Sequence, residues 1–201
     1  PADAPWVLTV GASSSMGTVN RKDDTLAAFS SRGPAVGHIA KPDILASGVG
    51  IVSTISWEGC FYENQSQFLL PAPCGGGKCM ATAHMPYMSM TGTSMAAPVV
   101  SGVAALMLEA NPRLTPNMIK AILQYTAELH GNYTGIEQGA GFLNALGAIE
   151  LARFYATGKP GSKAPFSPSW SRHIFWGNHR LTGGVMTMNS SAWRKIGRAH
   201  V

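Results

Sequence analysis

Gly92-Thr93-Ser94-Met95-Ala96-Ala97-Pro98 decides how this chain is read, because it sets one hydroxyl where a loop becomes an apolar helix. From Met95 to Ala110 the residues are almost all Ala, Val, Leu, Met, Gly and Ser. Thr93 or Thr91 stands where a helix cap is needed, and Pro98 falls in the first turn, where its missing N–H is tolerated. A helix apolar on all sides is expected to be buried, and this one reads as too short and too rich in small residues to cross a bilayer. Ser94 then lies among unpaired backbone N–H groups at the positive end of a helix dipole, where developing negative charge is stabilised. That is half of what acyl transfer needs, and it makes Ser94 a candidate nucleophile. A serine in this place can also be no more than a cap, so the flanking sequence has to decide.

The flanks point one way. Gly92-Thr93-Ser94-Met95-Ala96-Ala97-Pro98 resembles the serine motif of the subtilisin-like serine proteases, the subtilases. Pro5-Trp6-Val7-Leu8-Thr9-Val10-Gly11-Ala12, Phe29-Ser30-Ser31-Arg32-Gly33-Pro34 and Lys41-Pro42-Asp43-Ile44-Leu45-Ala46 resemble that family's preceding segments in order. Asn111-Pro112 through Leu123, and Gly139 through Ala145, resemble its closing helices. Serine-carboxyl peptidases also use a GTS-type motif, but the FSSRGP and KPDILA segments favour the subtilisin-type branch.

The resemblance implies an α/β fold: the C-terminal portion of a doubly wound, mostly parallel sheet with flanking helices, followed by an irregular tail. It covers residues 1–156, with an insertion at 57–90. It further implies a serine endopeptidase that hydrolyses polypeptide substrates through an acyl-enzyme at Ser94. Gly92, Thr93, Met95 and Pro98 frame the nucleophile, and the backbone N–H of Ser94 serves the oxyanion. Secretion is expected on the same ground, as is sensitivity of Met95 to peroxide. Structural calcium is common in the family, but no dense carboxylate cluster in this chain supports a site, and no metal ligand or cofactor is expected.

A serine needs a base to take its proton and a carboxylate to orient that base. In subtilases both precede the serine, the acid in a D-[ST]-G context and the histidine in H-G-T. Asp3, Asp23, Asp24 and Asp43 lack the first context; His38-Ile39 and His84-Met85 lack the second. His84, close to Ser94 in sequence, reads as a polar loop residue rather than the base. The family's oxyanion asparagine belongs to a segment ahead of Pro1. The expectation is a fragment that needs the N-terminal half of its own domain and is close to inactive alone. The competing reading is a non-catalytic subtilase-like module that binds peptides or serves a structural role.

The composition is that of a folded α/β chain: 201 residues, 45% hydrophobic and only 12% charged. The net charge of +5 comes from scattered basic residues, so no nucleic-acid partner is expected. Cys60, Cys74 and Cys79 fall in one region; Cys74–Cys79 or Cys60–Cys74 is the available bridge, and their spacing matches no zinc quartet. Gly75-Gly76-Gly77-Lys78 lacks the spacing of a phosphate loop. Asn64-Gln65-Ser66 and Asn132-Tyr133-Thr134 match the glycosylation sequon.

Taken in order, Trp6 to Val10 reads as a strand, residues 37–50 as a connecting loop and Ile51 to Ser56 as a strand. The insertion is dense in aromatic residues and methionine, so it either borders the substrate cleft on the leaving-group side or is a surface excursion. Thr115-Pro116 caps a helix over Asn117–Glu128. Asn144–Tyr155 is a further helix, with Leu146, Ile149 and Leu151 inward. Residues 157–194 read as an aperiodic tail or linker. Residues 195–201 resemble translated sequencing-adapter DNA and are expected to belong to no fold.

Overall fold

The computed structural model describes residues 2–72, 84–159 and 161–183. At its centre β1 (Val10–Ser14) runs parallel to β3 (Ile44–Ser47), with Val10 opposite Ile44 and Ser13 opposite Ser47. The short β2 (Thr25–Leu26) closes the far edge of β1 antiparallel. The 37–50 stretch therefore holds a core strand rather than only a loop. Ile44, Leu45 and Ala46 are buried on both faces, so they read as a short apolar run with no alternation. The first strand begins at Val10, not Trp6: Trp6 is exposed, and the chain before Val10 is a set of turns.

After β3 the chain turns at Gly48–Gly50 into β4 (Ile51–Thr54). The insertion contributes the one-turn helix α1 (Cys60–Asn64) and β5 (Leu69–Leu70). Its last residues form β6 (Tyr87–Met90), which pairs antiparallel with both β4 and β5. Parallel pairing thus belongs to the β1–β3 core, extended by a bridge between Leu45 and Phe142, whereas the second sheet is antiparallel.

Four helices follow. The serine motif opens α2 (Thr93–Ala110), which packs across β1, β3 and α5 (Ala145–Thr157). Its buried face is Ala96, Val100, Val103 and Met107; Leu106 and Leu108 on the other side are exposed. The helix is therefore one-faced, not apolar inside protein on all sides. By length and composition alone its 18 residues suffice to cross a membrane, contrary to the expectation that it is too short. In α3 (Pro116–Thr126) the Thr115 hydroxyl caps the Met118 N–H, as its sequence indicates. The small α4 (Gly135–Gln138) carries a capping box from Thr134 and Glu137.

In α5 the buried positions are Gly147, Ala148, Leu151 and Ala152; Leu146, expected inward, is exposed. Gly147 explains the shift, because the indole of Trp170 lies where its side chain would stand, with Nε1 2.8 Å from an added Cβ. The helix presents its small residues to that ring.

Trp170 lies in the stretch read as a tail. That stretch carries β7 (His173–Trp176) and β8 (His179–Thr182), joined through Gly177 and Asn178. Trp170, Ile174, Phe175 and Trp176 are buried, and the Gln124 amide both donates to and accepts from the Phe175 backbone. Residues 170–176 are thus part of the core in space, although the hairpin is too short to show a period in sequence. Residues 195–201 lie outside the described residues.

Candidate active site

The loop ahead of α2 is held by the turn that follows β3. The Thr91 hydroxyl accepts the Gly50 N–H at 2.9 Å, and the Gly92 N–H donates to the Gly48 carbonyl at 2.8 Å. Thr91 therefore ties the two loops together instead of capping the helix. The cap residue is Gly92, with no side-chain cap bond, and its carbonyl accepts the N–H groups of Met95 and Ala96. The N–H groups of Thr93 and Ser94 are left without a partner among the described residues. Ser94 is exposed in the first turn, and its hydroxyl makes no hydrogen bond to a described residue. A free hydroxyl and a free N–H at a helix N-terminus form an arrangement that can hold an oxyanion.

Neither candidate partner from the sequence hydrogen-bonds to Ser94. His38 is exposed at the end of a single helical turn, Val36–His38. The His84 ring stacks on Trp57, with centroids 4.8 Å apart, and meets the edge of Tyr62 at 6.3 Å. Asp43 is buried and fully engaged: it takes the ammonium groups of Lys41 at 2.7 Å and Lys120 at 3.1 Å and the Thr9 N–H at 2.7 Å. Lys120 Nζ also donates to the carbonyls of Pro5 and Val7, and Lys41 Nζ to that of Val7. Desolvation lowers the Lys120 pKa to about 8 despite the Asp43 charge. This cluster is structural and orients no histidine.

The insertion, read from the sequence as either a border of the cleft or a surface excursion, builds part of a wall beside the first turn of α2. A cavity of about 650 Å³ is lined by residues 51–56 of β4 and its continuation, by Gly59, Cys60 and Phe61, and by Met88, Met90, Met95, Pro98 and Val99. Only its third dimension joins them, since the β4–β6 pairing connects residues more than thirty positions apart. Cys60 is a free, exposed thiol; Cys74 and Cys79 lie outside the described residues. Among the described residues no group of three or more His, Cys, Asp or Glu side chains is placed to hold a metal ion.

The description of the subtilase family (Peptidase_S8) matches residues 1–148. The chain belongs to the subtilase family. This subtilase chain is 37% identical over 149 residues to the serine protease AprX of Bacillus subtilis (strain 168), covering 74% of itself and 31% of that protein. It is 34% identical over 149 residues to the subtilisin-like protease SBT4.13 of Arabidopsis thaliana, covering 70% of itself and 18% of that protein. Its structure is similar to that of fervidolysin from Fervidobacterium pennivorans, a keratinolytic enzyme related to subtilisin. There the TM-score is 0.54 and the identity 30%, over 74% of this chain and 20% of that one. The subtilase chain thus spans about a third or less of the length of these relatives.

Proposed function

We propose that this chain supplies the nucleophile of a serine endopeptidase, with Ser94 forming the acyl-enzyme. The observation that supports this most is the free Ser94 hydroxyl beside its own unpartnered N–H, in the first turn of an 18-residue helix, within a family of serine peptidases. In this reading a base takes the Ser94 proton as Oγ attacks the scissile carbonyl carbon. The Ser94 N–H and the helix dipole hold the resulting oxyanion. The C–N bond then breaks, the base returns its proton to the leaving amine, and water releases the acyl group by the reverse path.

Base and acid come from outside this chain. None of its described histidines is bonded to Ser94, and Asp43 is committed to two lysines. The exposed outer face of α2, from Ala97 and Ser101 to Leu108, is then the surface against which the missing half of the domain packs. The substrate is polypeptide, and the assembled enzyme acts outside the cell, as secretion in the family suggests. Residues 1–156 form the peptidase part.

A fluorophosphonate probe followed by peptide mass mapping tests this. The chain alone should remain unlabelled, and labelling at Ser94 should appear when an upstream subtilase segment is supplied in the same polypeptide. Ser94→Ala should abolish it. Labelling of the chain alone would place the base within it, and absence of labelling in the folded, extended protein would end the assignment of Ser94.

A further inference from the structure

We infer that the crevice at the carboxyl ends of β1 and β3 is a binding site for a small primary aliphatic amine, held as an ammonium ion by Asp24. Neither Ser94 nor Met95 lines it, so the site goes beyond the peptidase reading. Its place in the fold is the first argument. Ser13 and Ser47 are register partners at the ends of two parallel strands, and in α/β sheets ligands bind just outside those ends. The cavity there measures about 240 Å³, below the range of pockets for drug-sized molecules, so its ligand is small.

The second argument is a set of polar groups left open. Ser13 is only 3% exposed and lines the cavity, but its hydroxyl makes no hydrogen bond to a described residue. The hydroxyls of Ser15 and Ser47, half-buried in the same cavity, make none either. The Asp24 carboxylate joins them and forms no hydrogen bond or ion pair with a described residue. Burial raises its pKa; Arg21 and His130 oppose that shift, while Asp23 and Glu128 add to it. Buried groups of this kind are costly without partners, and a ligand that donates to them removes the cost.

Charge and shape select the ligand. Asp24 repels an anion, and the Arg21 guanidinium is already taken by Glu128 at 3.2 Å and the Leu143 carbonyl at 2.8 Å. An ammonium has three donors, enough for the carboxylate and two hydroxyls. Val99, Phe142, Leu143 and Ala145 form an apolar side of the cavity that suits an aliphatic stem. A bare calcium ion would want about six to eight oxygens and gain nothing from that side.

The test is a titration of the 15N-labelled full chain with n-butylamine hydrochloride at neutral pH, against sodium chloride at equal ionic strength. The amine should move the amide signals of Ser13, Asp24 and Ser47 and leave that of Ile174, in β7, in place. It should bind about ten-fold more tightly than n-butanol, its uncharged counterpart. Asp24→Asn should bring the two ligands to equal affinity, and Ser13→Ala should weaken the amine by about three-fold. Glu109→Gln, at an exposed position on α2, should change neither. Equal binding of amine and alcohol by the unmodified chain overturns the site whether or not the variants fold. A preference that survives Asp24→Asn overturns it too, as do sodium or calcium ions that move the same signals as strongly. A lysine-bearing tripeptide should not bind; tighter binding of it than of n-butylamine overturns the assignment to a small free amine.

Discussion

A methyl group on Gly48 would stand 2.8 Å from the Gly92 carbonyl oxygen and 2.9 Å from Ala12 Cβ. That carbonyl is the acceptor for the first turn of α2, so the space at Gly48 decides where Ser94 sits. Gly48→Ala should lower the rate of fluorophosphonate modification in the extended protein by about 10²-fold, as a displacement near 1 Å does in positioned sites. Gly135→Ala, where an added Cβ meets only Phe175 at 3.5 Å, should leave the rate unchanged. Met95 is the second residue with leverage. Its sulfur lies 3.5 Å from the place of a Gly92 Cβ, so sulfoxide would crowd the Ser94 N–H. Peroxide should therefore suppress labelling, and Met95→Leu should resist it; equal losses in both proteins would clear Met95. At this scale the start of α2 was legible, because a helix opening is marked by its immediate neighbours. The Gly48–Gly92 contact was not legible, since it joins residues from two separate loops.

Among the elements, those with chemical boundary marks could be read and those defined by partners could not. Thr115 and Pro116 announced α3, and Asn144 announced α5 by accepting the Gly147 N–H. By contrast β3 passed as a loop because both its faces are buried, and β7 passed as tail because two of its anchors are an isolated pair of tryptophans. The consequence can be measured. Trp170→Ala empties the space over Gly147 and should cost about 3–5 kcal/mol in chemical denaturation, a large share of a domain's stability. A cost under 1 kcal/mol would mean that 170–176 does not belong to the core.

The Lys120 site on α3 makes a prediction of opposite sense to the usual alkaline loss. Unfolded lysine keeps its proton to about pH 10.5, the folded one only to about 8. Between those values the unfolded chain binds more protons, so this group's contribution to stability rises with pH, and the full cost of burying the charge is present below 8. The Tm of the chain minus that of Lys120→Met should increase by a few degrees from pH 7.5 to 9.5. A flat difference would show that the ammonium is not desolvated.

Over the whole molecule, the family resemblance foretold an α/β core with a parallel centre, and the β1–β3 pair with α2 and α5 across it agrees. The antiparallel β4–β6–β5 sheet and the cavity beneath it were beyond reach, because both depend on pairing across the insertion. One corner of the molecule has a wider meaning. The oxygens of Pro5, Val7 and Asp43 gather around two ammonium groups that the chain carries on its own side chains. The partners of the Asp43 carboxylate are covalently attached and cannot be dialysed away. The cations that hold its carboxylate are thus written in the gene at Lys41 and Lys120.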